Sequence, residues 1–128
     1  MRAPETQRHL FEHGRLSYIQ IPATNVRASA DFYASIFGWE VGGDDANHLS
    51  FSDPTRGMIG AWVTERVSAQ DSGVLPYIYV HGIDAVLERI KSLGGETVKP
   101  IYAEGDLRVA TFRDPGGNVI GIWQQGPR

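Results

Sequence analysis

The chain has 128 residues, 41% of them hydrophobic and 21% charged, with a formal net charge of -3. That is the size and composition of one globular domain with core enough to fold without staples. Charges of both signs are interspersed, which leaves no basic stripe for nucleic acid and no Lys/Arg cluster for an anionic membrane. The absence of cysteine excludes disulfides, thiolate metal sites and cysteine nucleophiles.

The opening "MRAPETQRHLFEHG" is polar and aperiodic, without the apolar centre of a signal peptide, and reads as an arm over residues 1–13. No apolar run approaches the length of a membrane span, so a cytoplasmic location is expected. "LSYIQI" (Leu16 to Ile21) alternates like a strand and is closed by Pro22. Asn25 is placed to cap the helix "VRASADFYASIFG", whose apolar residues recur at helical spacing and whose Gly38 supplies the stop. "WEV", "HLSFSD" and "MIGAWVTE" follow as short strands between Gly, Asp and Pro punctuation. "VSAQDSGVL" (Val67 to Leu75) has the small, polar composition of a linker.

The same order then returns. "PYIYV" is a strand, "IDAVLERIKSLGG" a helix, and "ETVKP", "LRVATFRD" and "NVIGIWQ" three further strands. The clearest repeat is a hairpin: "FSDPTRGMIGAW" (Phe51 to Trp62) is answered by "FRDPGGNVIGIW" (Phe112 to Trp123), with Phe, Asp, Pro, Ile, Gly and Trp in register. The period is too long and the copies too few for a solenoid. The pattern predicts an α+β fold of two tandem βαβββ modules, at about 14–66 and 74–125, within one domain over 14–128. A small sheet with one helix leaves a face uncovered, so the two sheets are expected to form an open, barrel-like arrangement around a shared cleft, helices outside.

Alternation assigns residues to that cleft. With Ile19, Ile21, Ile78 and Val80 under the helices, Tyr18, Gln20, Tyr77 and Tyr79 face the other way. In the two hairpins the same reasoning gives Met58, Gly60 and Trp62, and Val119, Gly121 and Trp123. The repeated I-G-x-W then reads as a gap closed by a Trp. Tyr18, Gln20, Met58, Trp62, Tyr77, Tyr79 and Trp123 form a mostly apolar ligand wall with polar tips. The competing reading of each Trp is that it belongs to the core, and the D-P turns are structural in either case.

These motifs, "IPATNVRASADFYASIFGW", "HGIDAVLERIKSLGGETV" and "FRDPGGNVIGIW", resemble the vicinal oxygen chelate superfamily of glyoxalase I, bleomycin-resistance proteins and extradiol dioxygenases. The resemblance covers about Gly14 to Gln125 and implies two βαβββ modules around a cleft that usually holds one divalent metal. Pairing of subunits is also common in that superfamily, so a homodimer is a possible partner state. Carried over residue by residue, the metal positions fall on Tyr18, Gly60, Leu75 and Gly121. Two glycines, a leucine and a neutral tyrosine do not make such a site. No cofactor is therefore predicted.

Other chemistry is sparse. His9 and His13 lie in the arm and His48 opens a strand, whereas His81 ends the strand that carries Tyr77 and Tyr79. His81, with Glu104 and Asp106 of the loop "YAEGDLR" covering the cleft mouth, are the acid/base candidates. Three readings follow. The first is a metal-free protein that binds a small aromatic or apolar molecule. The second is a lyase, isomerase or dioxygenase with a displaced metal site or a metal-free acid/base, and the third a non-catalytic dimerisation module.

Overall fold

The computed structural model describes His13, residues 15–68 and residues 74–126. Apart from His13 the expected arm, with His9, lies outside the described residues. The chain divides between Arg66 and Val67 into two units. Each runs strand, helix and three strands.

In the first unit β1 (Tyr18–Pro22) leads to α1 (Val26–Phe37), then β2 (Glu40–Asp45), β3 (His48–Ser52) and β4 (Ile59–Val63). In the second, β5 (Tyr77–Tyr79) leads to α2 (Ile83–Ser92), β6 (Glu96–Glu104), β7 (Leu107–Arg113) and β8 (Val119–Gln125). The sheet orders are β1-β4-β3-β2 and β5-β8-β7-β6. In both, the first strand pairs parallel to the last and the other pairs are antiparallel. The fold is α+β, two tandem βαβββ modules, and each sheet is open.

Local chemistry sets the ends of both helices. The Asn25 side chain accepts from the Ala28 amide at 3.0 Å, and Gly38 closes α1 with φ 73°. The second helix has no such cap of its own, because its N-cap is Gly82 at φ 71°. The cap comes instead from β8, where Gln124 Oε1 accepts from the Ile83 amide at 2.7 Å. Arg108 of β7 adds a two-pronged contact to Asp84, at 2.9 and 3.1 Å. That contact holds the Asp84 carboxyl below its ordinary range. These two bonds also identify the helix side of the second sheet: Gln124 and Arg108 share it with Ile120, Ile122, Ala110 and Phe112, all buried.

The first unit has an aromatic core. The Tyr33 ring stacks on Trp39 at 4.5 Å, Trp39 on Phe51 at 4.6 Å, and Phe51 meets Trp62 at 4.8 Å. Tyr33 belongs to α1, so Trp62 is on the helix side, only 2% exposed. This corrects the expectation that Trp62 lines the cleft.

The cause is a one-residue difference between the repeated hairpins. In the second, Arg113 faces Val119, leaving a five-residue turn over 114–118. In the first, Ser52 faces Ile59, leaving a six-residue turn over 53–58. The two turns share a scaffold. Asp53 Oδ1 accepts from the amides of Thr55 and Gly57, and Asp114 Oδ1 accepts from those of Gly116 and Asn118. Arg56 (φ 60°) even copies the left-handed backbone of Gly117 (φ 91°). Met58 is the extra residue. It lies in the turn rather than on a strand, and a one-residue slip turns every following side chain to the other face.

Candidate functional site

The face of the second sheet away from α2 is built by three devices. The first is the register of β5 on β8, which sets Tyr77 beside Gly121 and Tyr79 beside Trp123. A Cβ at Gly121 would run into the Tyr77 ring, so glycine lets that ring lie flat on the sheet. Gly60 does the same for the Phe51 ring, but on the helix side of the first sheet. The identical motif thus serves a core in one module and an open face in the other.

The second device is an aromatic edge. The Tyr79 ring meets Trp123 edge-on at 4.7 Å and His81 edge-on at 5.4 Å. Its hydroxyl accepts from the Gln125 amide at 3.3 Å. Tyr77 and Tyr79 remain 46% and 43% exposed, an aromatic area that the fold leaves open.

The third is a pair of irregularities in β6, one between Thr97 and Lys99 and one between Lys99 and Tyr102. Sequence reasoning ended this strand at Pro100. It continues to Glu104 because β6 is an edge strand, where proline is tolerated at a bulge. Lys99 falls opposite Thr111 and Tyr102 opposite Val109, so both join the open face. The Lys99 ammonium stands 4.2 Å from the centre of the Tyr102 ring. Neither residue was expected at the site, since in an unbroken strand their spacing would put them on opposite faces.

The same extension revises the acid/base candidates. Glu104 is the last residue of β6 rather than part of a covering loop. Gly105 and Asp106 form a two-residue hairpin turn to Leu107, with Gly105 at φ 61°. Asp106 is exposed there, and its carbonyl accepts from the Gly126 amide at 2.6 Å. Glu104 is also exposed and near enough to bear on Tyr77. His81 is exposed after β5 and joins the aromatic edge through Tyr79.

Burial is the main influence that raises the Tyr77 phenol above its ordinary 10.0, followed by Tyr102 and Glu104. A group raised in the folded state contributes stability below its unfolded pKa and loses it as pH rises through the folded one. Stability is therefore expected to fall above pH 10 as Tyr77 ionises. An ultraviolet titration should show one late phenol that is missing from Tyr77→Phe, and that variant should resist alkali better than the parent. A Tyr77→Phe titration that superimposes on the parent's late phase would contradict this.

In the first unit the open face carries Tyr18, Gln20, Ile59, Ala61 and Val63, with Tyr18 beside Ile59. Tyr18 is 54% exposed and Gln20 is exposed. His48 begins β3 and is tied to Asp45, its Nδ1 2.9 Å from the carboxylate.

The positions implied for a divalent metal do not fit one. Gly60 lies on the helix side and Gly121 lies under the Tyr77 ring. Leu75 precedes β5 and has no donor. The residue that pairs with Tyr18, Ile59, has no donor either. Among the described residues no group of three His, Asp or Glu is placed to hold a metal ion.

Residues 15–122 match the Glyoxalase/Bleomycin resistance protein/Dioxygenase superfamily. The chain belongs to this superfamily. CFP32 of Mycobacterium tuberculosis is 29% identical over 92% of this chain and 48% of its own length. DnrV of Streptomyces peucetius, an anthracycline biosynthesis protein, is 27% identical over 91% and 49%. The chain spans about half the length of these curated relatives. Among solved structures, a superfamily enzyme from Burkholderia phytofirmans PsJN superposes with TM-score 0.73 at 16% identity, over 88% of this chain and 99% of that one. TnmS3, an antibiotic binding protein from Streptomyces sp. CB03234, superposes with TM-score 0.67 at 18% identity, over 88% and 97%. At such identities the superpositions speak for the superfamily fold alone. Among the described residues no helix is long and apolar enough to cross a membrane.

Proposed function

We propose that this chain binds a planar aromatic organic molecule against the open face of its second sheet, with Tyr77, Tyr79 and Trp123 as the stacking surface. The observation that carries the reading is the aromatic edge of exposed Tyr79 on half-buried Trp123, beside a tyrosine laid over Gly121. Flat rings on such a surface gain contact area and favourable ring geometry at little conformational cost. A superfamily structure described as an antibiotic binding protein supports a binding role, with no reaction required. Trp62 is not part of the proposed wall.

Calorimetric titration with 2-naphthol tests the reading. Trp123→Ala and Tyr79→Ala are each expected to weaken binding by about tenfold or more. Both side chains lie outside the helix-side core, so thermal unfolding should shift only a few degrees. Unchanged affinity in both variants would remove this face from the site.

A further inference from the structure

Two irregularities in one edge strand require a reason, because each leaves a residue out of the sheet ladder. Their combined result is specific. Lys99 and Tyr102 are three positions apart, and an unbroken strand would point them to opposite faces. The second irregularity brings both to the open face, across from Thr111 and Val109. Lys99 is exposed there, with its ammonium against the Tyr102 ring and no carboxylate within ion-pair distance among the described residues. Arg27, Arg56, Lys91, Arg108 and Arg113 differ in this respect, since each faces a carboxylate.

Tyr102 is also near enough to the Tyr77 phenol to help raise it. One end of the aromatic surface therefore carries two hydroxyls and an ammonium without an ionic partner. Glu104, two residues after Tyr102 and opposite Leu107, is the carboxylate nearby, and it bears on the Tyr77 phenol more than Lys99 does.

We infer that Lys99 selects the ligand's charge: the site takes a planar aromatic that carries an anionic oxygen, a carboxylate or phenolate, at the edge facing Lys99 and Tyr102. The inference rests on the binding reading above and deepens it. An ammonium held against a ring is already partly desolvated, which strengthens its pairing with an incoming anion. The phenol hydroxyls complete the shell by donating to the same oxygen.

The test is calorimetric titration with three probes of one shape: 2-naphthoate, 2-naphthol and the cation 2-naphthylmethylammonium. The parent protein is expected to bind 2-naphthoate roughly tenfold more tightly than 2-naphthol, as one charge-assisted hydrogen bond allows. The cation should bind most weakly. Lys99→Met keeps the apolar stem and should lose the preference for 2-naphthoate while binding 2-naphthol within about twofold of the parent. Lys99→Arg should retain the preference, and added salt should reduce it in the parent. Equal affinity for naphthoate and naphthol, or an unchanged preference in Lys99→Met, would overturn the role of Lys99 and leave the aromatic surface standing. Failure of all three probes to bind would overturn both.

Discussion

Replacing Trp62 by alanine should cost about 3–5 kcal/mol of stability, the range for emptying a buried aromatic site. Against a total of about 5–15 kcal/mol for a domain, that loss brings the chain close to unfolding. The rings of Tyr33, Trp39 and Phe51 would lose a common neighbour at once. Among the described residues the buried Trp62 indole N–H has no acceptor, which itself costs about 1–3 kcal/mol. Trp62→Phe, which removes the orphan donor and keeps most of the ring, should therefore lose much less than Trp62→Ala. Trp123→Ala should be the mild one of the pair, although the two residues end identical motifs. Urea denaturation of the three variants checks the order. A Trp62→Ala protein as stable as the parent would show that this ring is not core.

Inserting one alanine between Ile59 and Gly60 should be still more damaging. Ser52 would keep Ile59 opposite it, but the extra residue would face Phe51 and every later side chain of the strand would change face, turning Trp62 away from α1. The parallel pairing with β1 is set for the opposite arrangement. The expected result is loss of a cooperative unfolding transition in circular dichroism. Deleting Met58 should be mild by contrast, because it leaves a five-residue turn like that of the second hairpin with Ser52 still opposite Ile59. Its expected cost is about 1–2 kcal/mol or less, as for a half-buried turn residue. An insertion variant that unfolds as cooperatively as the Met58 deletion would contradict the account of the register.

These two results bear on what the sequence makes legible. The duplication, both helices, the Asn25 cap and the order of strands follow from periodicity and punctuation, because those features depend on neighbours within a few residues. The face of β4 does not follow. It depends on whether the turn holds five residues or six, and the two hairpin sequences align without a gap. Conformation there is set by which carbonyl the Asp53 and Asp114 amides select, Met58 or Asn118, and no residue type announces that choice. The length of β6 was hidden for a related reason. Pro100 is a sound stop signal in a central strand, but β6 is an edge, and edge position is a property of the sheet. Lys99 and Tyr102 were missed with it. Tyr77, Tyr79 and Trp123 were assigned to the face they occupy because the five-residue turn leaves strand alternation intact.

The measurement that tests the central proposal most directly is the indole region of a proton–nitrogen correlation spectrum. The chain has three tryptophans, so three indole N–H signals are expected. Trp123→Phe assigns one of them by its loss. On titration with 2-naphthol, the proposed site predicts that the Trp123 signal moves while those of Trp39 and Trp62 hold still. Movement of the Trp62 signal with Trp123 unmoved would put the ligand in the first module and contradict the site proposed here.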